Sequence, residues 1–149
     1  TAKAFAALLE DGSVVTWGDA YDGGDISDIA GKLRSNVQDV IATELAFAAL
    51  LCDGSVETWG NESFGGNSSR IQAELRDVRE IRATANAFAA LKGDGSVVTW
   101  GQAAGGGDSS RVQGQLRGVK QIHAAAHAFA ALLQNGSIVT WGNGFAGGD

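Results

Sequence analysis

One stretch of this chain, AFAALLEDGSVVTWG from Ala4, returns three times: as AFAALLCDGSVETWG from Ala46, AFAALKGDGSVVTWG from Ala87 and AFAALLQNGSIVTWG from Ala128. Its tryptophans, Trp17, Trp59, Trp100 and Trp141, are spaced by 42, 41 and 41 residues. A period near 40 residues marks a solenoid, a propeller or an array, in which each unit buries its apolar faces against the next. The repetition is therefore the fold, and function has to be sought in what departs from it.

Composition excludes several classes. The 149 residues are 44% hydrophobic and 19% charged, a globular balance sufficient for one domain with a core. A net charge of −6 with scattered basic residues argues against a nucleic-acid backbone as partner. The single cysteine, Cys52, excludes an internal disulfide framework and a cysteine-based zinc site. No apolar run approaches the roughly 18 residues of a membrane span, so no direct membrane insertion is expected. The absence of methionine and the start at Thr1, just ahead of a repeat, predict a processed product, a recombinant fragment or the visible part of something longer. The compartment is not readable.

Within each copy an Asp-Gly or Asn-Gly pair separates two short apolar runs, the sequence mark of a hairpin with a type I′ turn. Asp11-Gly12, Asp53-Gly54, Asp94-Gly95 and Asn135-Gly136 are placed at hairpin tips. A two-residue turn at Asp11-Gly12 pairs Leu9 with Val14, Leu8 with Val15 and Ala6 with Trp17. Both hairpin faces come out apolar, as in the middle layer of a stack, with small alanines opposite each tryptophan. Trp17, Trp59, Trp100 and Trp141 are read as structural core; a ring of ligand-stacking tryptophans is the other reading.

The segments between hairpins share a second pattern: GGDISDIAGKLRSNVQDVIAT, GGNSSRIQAELRDVREIRAT and GGDSSRVQGQLRGVKQIHAA. In the third, Val112, Leu116, Val119 and Ile122 follow at intervals of four, three and three, which is helical spacing. Gly114 and Gly118 weaken a continuous helix. The expectation is a short helical turn over about residues 109 to 117, capped near Asp108, then a strand. Matching segments start near Ser27 and Ser68, and an extra residue around Ser35-Asn36 explains the longer first spacing.

An apolar V-x-x-I/V segment, an A-x-A-A-L strand, D-G-S-V, W-G and a glycine pair, in that order, resemble the repeat of the regulator of chromosome condensation family. The resemblance covers nearly the whole chain and implies a β-propeller, closed in that family by about seven such units. Two departures stand out. The G-Q-L-G usual after the tryptophan is replaced by Gly23-Gly24-Asp25, Gly65-Gly66-Asn67 and Gly106-Gly107-Asp108, and the usual histidine before the apolar strand survives only as His127.

The expected fold class is mainly β: a single repeat domain over 1–149, with units of approximately 1–25, 26–66, 67–107 and 108–149. Four hairpins and three intervening segments make about three and a half blades, each of three strands plus a short helical turn. Such a chain is a fragment of a longer propeller, a partner-completed propeller, or an atypical four-bladed ring or open arc. An open arc exposes apolar faces and strand edges at both ends, which invites a protein partner or self-association.

Chemistry finds little footing. His123 and His127 fall in a strand and its link, where other repeats place Arg82 and Asn86 or Ile41 and Leu45, so no metal site is assigned. Cys52 shares a variable position with Glu10, Gly93 and Gln134 and has no neighbouring base. No catalytic residue and no cofactor are expected. The Gly-Gly-Asp turns offer Asp25, Asn67, Asp108 and Asp149 either as structural caps or as ligands for a sugar or Ca²⁺.

The segments after each W-G vary most: DAYD, NESF, QAAG and NGFA. Tyr21, Phe64 and Phe145, with Asp22 and Glu62 beside them, are the candidate partner-binding residues, since loops of this kind often carry the binding function of repeat proteins. The alternative is that each ring covers the edge of the next unit. The function expected is a non-enzymatic protein-interaction or scaffold module within a larger assembly. Two alternatives are a propeller fragment acting in guanine nucleotide exchange, which the resemblance implies, and a glycan- or Ca²⁺-binding repeat protein.

Overall fold

The computed structural model describes residues 1–149. Eleven strands run in chain order: β1 (Ala4–Leu8), β2 (Val14–Gly18), β3 (Val37–Ala42), β4 (Ala46–Leu51), β5 (Val56–Gly60), β6 (Val78–Ala83), β7 (Ala87–Lys92), β8 (Val97–Gly101), β9 (Val119–Ala124), β10 (Ala128–Leu133) and β11 (Ile138–Gly142). They form a two-stranded sheet, β1-β2, and three antiparallel three-stranded sheets, β3-β4-β5, β6-β7-β8 and β9-β10-β11. Each sheet is a blade. The first strands β3, β6 and β9 lie against one another, so the blades fan out from a common axis as in a propeller. Backbone bonds link the blades around that axis: Ala2 N–H donates to Glu44 O, Glu44 N–H to Ala85 O and Ala85 N–H to Ala126 O, at 2.6–2.8 Å.

The hairpin tips differ from the expected type I′ turn. Only the glycine of each Asp-Gly or Asn-Gly pair has a positive φ, whereas type I′ needs two such residues. Gly12 N–H donates to Leu9 O at 3.0 Å and Leu9 N–H to Ser13 O at 2.9 Å, giving a longer loop that ends in a left-handed glycine. Asp11 holds it: its carboxylate accepts from Ser13 N–H at 2.9 Å and from the Ser13 hydroxyl at 2.6 Å. The longer turn shifts the pairing, so Leu8 faces Val14, Ala6 faces Thr16 and Phe5, not Ala6, faces Trp17.

That shift decides the core. In every blade a phenylalanine stacks on the tryptophan opposite it, with centroids 5.1–5.5 Å apart and planes within 15–23°. Offset stacking of this kind adds to the apolar area buried. The Phe–Trp plate faces the preceding blade. Phe47, Ala49 and Trp59 pack on Ala4, Val14 and Leu33; Phe88, Ala90 and Trp100 pack on Ala46, Ala48 and Leu75; Phe129, Ala131 and Trp141 pack on Ala87, Ala89 and Leu116. Trp59, Trp100 and Trp141 are thus core residues. Trp17 keeps 52% of its surface exposed, against 3–5% for the others, because no other blade within residues 1–149 packs on its plate.

The intervening segments wind less than their spacing suggests. Only Ser69–Ile71 completes a short 3-10 turn; over residues 109 to 117 single turns such as Val112 N–H to Ser109 O (2.9 Å) follow one another and end at buried Leu116. A side chain competes with the helix here. Ser109 donates to Gln113 Oε1 at 2.7 Å, and Gln113 Nε2 donates to Val97 O at 2.9 Å, pinning the segment to its own blade. Ser68, Gln72 and Val56 repeat the device in the second blade. The extra residue lies where expected, between Leu33 and β3, beside Asn36 with φ +66°.

Candidate functional site: the loop face of the arc

Each W-G leads into a tight turn held from inside. Asp19 accepts from Tyr21 N–H at 2.9 Å, Asn61 from Ser63 N–H at 3.1 Å and Asn143 from Phe145 N–H at 2.9 Å. Backbone bonds then close the loops, from Gly24 N–H to Asp19 O, Gly66 to Asn61, Gly107 to Gln102 and Gly148 to Asn143, at 2.8–3.0 Å. Threonine hydroxyls tie two of the loops to the link between the first two strands of their own blade, Thr43 to Phe64 O at 3.1 Å and Thr84 to Gly105 O at 2.9 Å. The loops are therefore preorganised platforms on one face of the arc.

The second residue after each cap, Tyr21, Ser63, Ala104 or Phe145, stands at the tip. Tyr21 is 79% exposed and Phe145 is fully exposed. Neither ring covers a neighbouring blade. The next residue along, Asp22, Phe64, Gly105 or Ala146, turns inward. Phe64 is half-buried against the cluster containing Trp100 and Leu75, so this ring covers the edge of the next unit. Asp22 is buried as well, with Lys3 Nζ 3.3 Å from its Oδ2. Glu62 is exposed and accepts from Asn67 Nδ2 at 3.3 Å. Of the five candidate partner contacts, Tyr21, Phe145 and Glu62 are on the surface, and Phe64 and Asp22 lie beneath it.

Grooves run between successive loops. One, of about 430 Å³, is lined by Ala103, Ala104, Asp108, Arg111, Trp141 and Asp149. Another, of about 380 Å³, is lined by Tyr21, Asp25, Ile26, Asp28 and Trp59. Tyr21 thus shares a groove with Asp25, and Asp108 with Asp149.

In three of the Gly-Gly-Asp/Asn turns the side-chain oxygen of Asp25, Asn67 or Asp108 serves the chain's own backbone. Asp25 accepts from Ser27 N–H at 2.8 Å and from the Ser27 hydroxyl at 2.7 Å. Asn67 and Asp108 accept from Ser69 and Ser110 N–H at 3.0 and 2.9 Å. These bonds favour the charged form, so the Asp25 carboxyl is lowered from its ordinary value by the Ser27 hydroxyl first, and that of Asp108 by the Ser110 amide first. Asp149 O accepts from the Thr140 hydroxyl at 2.9 Å.

A second surface was not marked in the sequence. Bulges interrupt β3, β6 and β9 at Gln38, Arg79 and Lys120, adding one exposed residue to the first strand of each of these blades. Arg79 donates to Lys120 O at 3.0 Å across to the next blade, and Arg82 lies 2.6 Å from Glu80 Oε1. The histidines stand apart: His127 Nδ1 is 3.0 Å from Asn86 Oδ1 in the link, and His123 is on β9. Cys52 is exposed at a hairpin tip.

No protein-family model matches the chain, and no curated protein matches it. Solved structures do. Yeast RCC1 (Prp20), determined with Kap60 bound, superposes over 95% of this chain with a TM-score of 0.66 at 20% identity. The fold is that of an RCC1-type propeller arc. Human WBSCR16 gives a TM-score of 0.58 over 97% of the chain at 21% identity, and the ectodomain of the Physcomitrella patens receptor kinase CR4 gives 0.63 over 94% at 19%. The RCC1-type arc spans less than half of each: 42%, 46% and 39% of those chains. No helix in the arc is long and apolar enough to cross a membrane.

Proposed function

We propose that this chain is a non-enzymatic protein-interaction module that holds a protein partner on its loop face, with Tyr21 and Phe145 as the main contacts and Glu62 on the polar rim. The observation that carries the reading is the full display of two aromatic rings on loops whose backbones are already fixed by Asp19 and Asn143. Aromatic side chains presented by rigid backbone lose little entropy on binding and dominate protein interfaces. The neighbouring fold is compatible with such use: yeast Prp20 was solved with the protein Kap60 bound, and its binding to Gsp1p and histones has been described.

The test is site-specific photo-crosslinking. A photoreactive phenylalanine analogue replaces Tyr21, Phe145 or, as a control, Arg117, and the chain is irradiated in extract from its source. The reading expects one foreign polypeptide crosslinked from positions 21 and 145 and not from 117. Equal crosslinking from all three positions, or none from 21 and 145, overturns it.

A further inference from the structure

The grooves on the loop face are one architectural feature with different linings. Beside Trp141 the groove is lined by Ala104, Ser109 and Arg111. Beside Trp59 the same three positions hold Tyr21, Ile26 and Asp28. An aromatic ring, an apolar side chain and a carboxylate thus replace a methyl group, a hydroxyl and a guanidinium, while an aspartate, Asp25 or Asp108, stays in both.

The exchange at Asp28 changes the local charge. Residues 19–31 contain four carboxylates, Asp19, Asp22, Asp25 and Asp28, and no lysine or arginine. The matching residues 61–73 and 102–114 each balance one acid with one arginine, Glu62 with Arg70 and Asp108 with Arg111. Asp22 is paired with Lys3, and Asp25 is committed to Ser27. Asp28 is exposed, and its carboxylate has no hydrogen-bond or ion-pair partner within the chain; Lys32, the next cation in the sequence, is tied to Glu57 at 2.9 Å instead. Tyr21 stands clear because of its place in the loop. Ser63 and Ala104, at the same place in loops that have a blade on either side, are exposed as well.

We infer that the partner on the loop face is a basic peptide segment that inserts an arginine into the groove beside Tyr21, its guanidinium stacked on the Tyr21 ring and paired with Asp28, its stem along Ile26 and Ile29. This rests on the loop-face reading and adds the chemistry of the partner. A flat ring, a free carboxylate and an apolar floor in one groove answer the three parts of arginine: the guanidinium face, the fork of N–H donors and the methylene stem. Lysine supplies the charge without the plane or the fork. An acidic segment meets like charge, and the net charge of −6 draws a basic one. The groove, about 380 Å³, is at the small end of the range for pockets that bury a compact ligand, so it takes a side chain or two and not a folded surface.

NMR titration of the isotope-labelled chain with the blocked peptide Gly-Arg-Gly, up to millimolar concentration, tests the inference. The same peptide with lysine or with citrulline in the middle, and spermine, are the comparisons. The expected result is saturable shifts at the amides of Tyr21, Asp28 and Ile29, strongest for arginine, weaker for lysine and spermine, least for citrulline, and reduced by salt. The matching amides of Ala104 and Arg111 should not move. Asp28→Arg, which repeats what Arg70 and Arg111 supply at the matching positions and so suits the fold, should abolish the shifts. Asp28→Asn should weaken binding about fivefold, and Tyr21→Leu should remove the preference for arginine over lysine. No shift at any concentration overturns the inference, as do equal shifts from citrulline or spermine and shifts that survive Asp28→Arg.

The two readings fail separately. One polypeptide crosslinked from positions 21 and 145, with a yield unchanged in Asp28→Arg, leaves the loop-face reading intact and overturns this one. Arginine-selective shifts without any crosslinked polypeptide sink the loop-face reading, while the preference of the groove stands.

Discussion

Trp100 Nε1 donates a hydrogen bond to the carbonyl oxygen of Gly65 at 3.1 Å, and Phe88, stacked on Trp100, sits over that same glycine. The contact joins the third blade to the loop that follows the second. It explains why the chain repeats an A-F-A-A-L strand, a tryptophan and a glycine pair together: each is one part of a lock whose other parts belong to a neighbouring unit. Apolar burial and one well-placed hydrogen bond reinforce each other there.

Trp100→Ala should therefore cost about 3–5 kcal/mol, as expected for loss of a buried aromatic. Trp17→Ala, at a half-exposed ring without a protein acceptor, should cost much less. Urea unfolding of dilute samples followed by circular dichroism measures both.

Gly65→Ala should destabilise by about 1–3 kcal/mol or more through overpacking. The added methyl lies 2.7 Å from Phe88 Cδ2 and φ is +95°. Gly31→Ala meets nothing within 4 Å and has no positive φ, so it should be neutral or stabilise by about 0.4–1 kcal/mol through the unfolded chain. Thermal melts of the two variants give the comparison.

Phe64 and Tyr21 should separate, although the sequence puts both in the variable loops. Phe64→Ala removes a half-buried ring from the core beneath Trp100 and should cost about 1 kcal/mol. Tyr21→Ala should stay within about 0.5 kcal/mol of the parent and act on partner binding alone. Melting temperature and crosslinking yield, measured on the same samples, separate these two effects.

The hairpin tips predict an acid limb. Serine hydroxyls and amides hold the carboxyls of Asp11, Asp53 and Asp94 below their ordinary range, the hydroxyl of Ser13, Ser55 or Ser96 contributing most. A depressed folded-state pKa contributes stability that is fully present above the unfolded carboxylate value, about 4, and is lost as pH falls through the lower folded value. The fourth tip already carries Asn135, whose side chain accepts only from Ser137 N–H. Replacing Asp11, Asp53 and Asp94 with Asn should flatten the loss of melting temperature below that pH, as read by thermal scans across it.

Much of this was legible in the sequence because the repeat sets the blade count and the apolar runs set the strands. What escaped detection was set by side chains acting on backbone. The Asp11–Ser13 bond lengthened the hairpin turn by one residue and put Phe5, not Ala6, opposite Trp17. The Ser109–Gln113–Val97 chain displaced a helix that the apolar spacing favoured. Four identical W-G motifs also concealed that, within residues 1–149, no blade covers Trp17 as one covers each of the other three, since burial depends on the neighbour and not on the motif. In the loops, one register step separates outward Tyr21 and Phe145 from inward Asp22 and Phe64. Aligning the four loops on their tryptophans would have placed Tyr21 with Phe145 and Phe64 with Asp22. The inner-strand bulges at Gln38, Arg79 and Lys120 left no comparable signal.

Within residues 1–149 three tryptophans are locked between blades and the fourth lies on an uncovered plate. Hydrogen exchange of the four indole N–H groups, followed by NMR in a dilute sample of the 149-residue chain, tests it most directly. Trp59, Trp100 and Trp141 should exchange slowly, and Trp17 at the rate of a solvent-exposed ring. Four protected indoles in a monomer would mean that the arc closes on itself, and fast exchange at Trp100 would mean that the lock between blades does not exist.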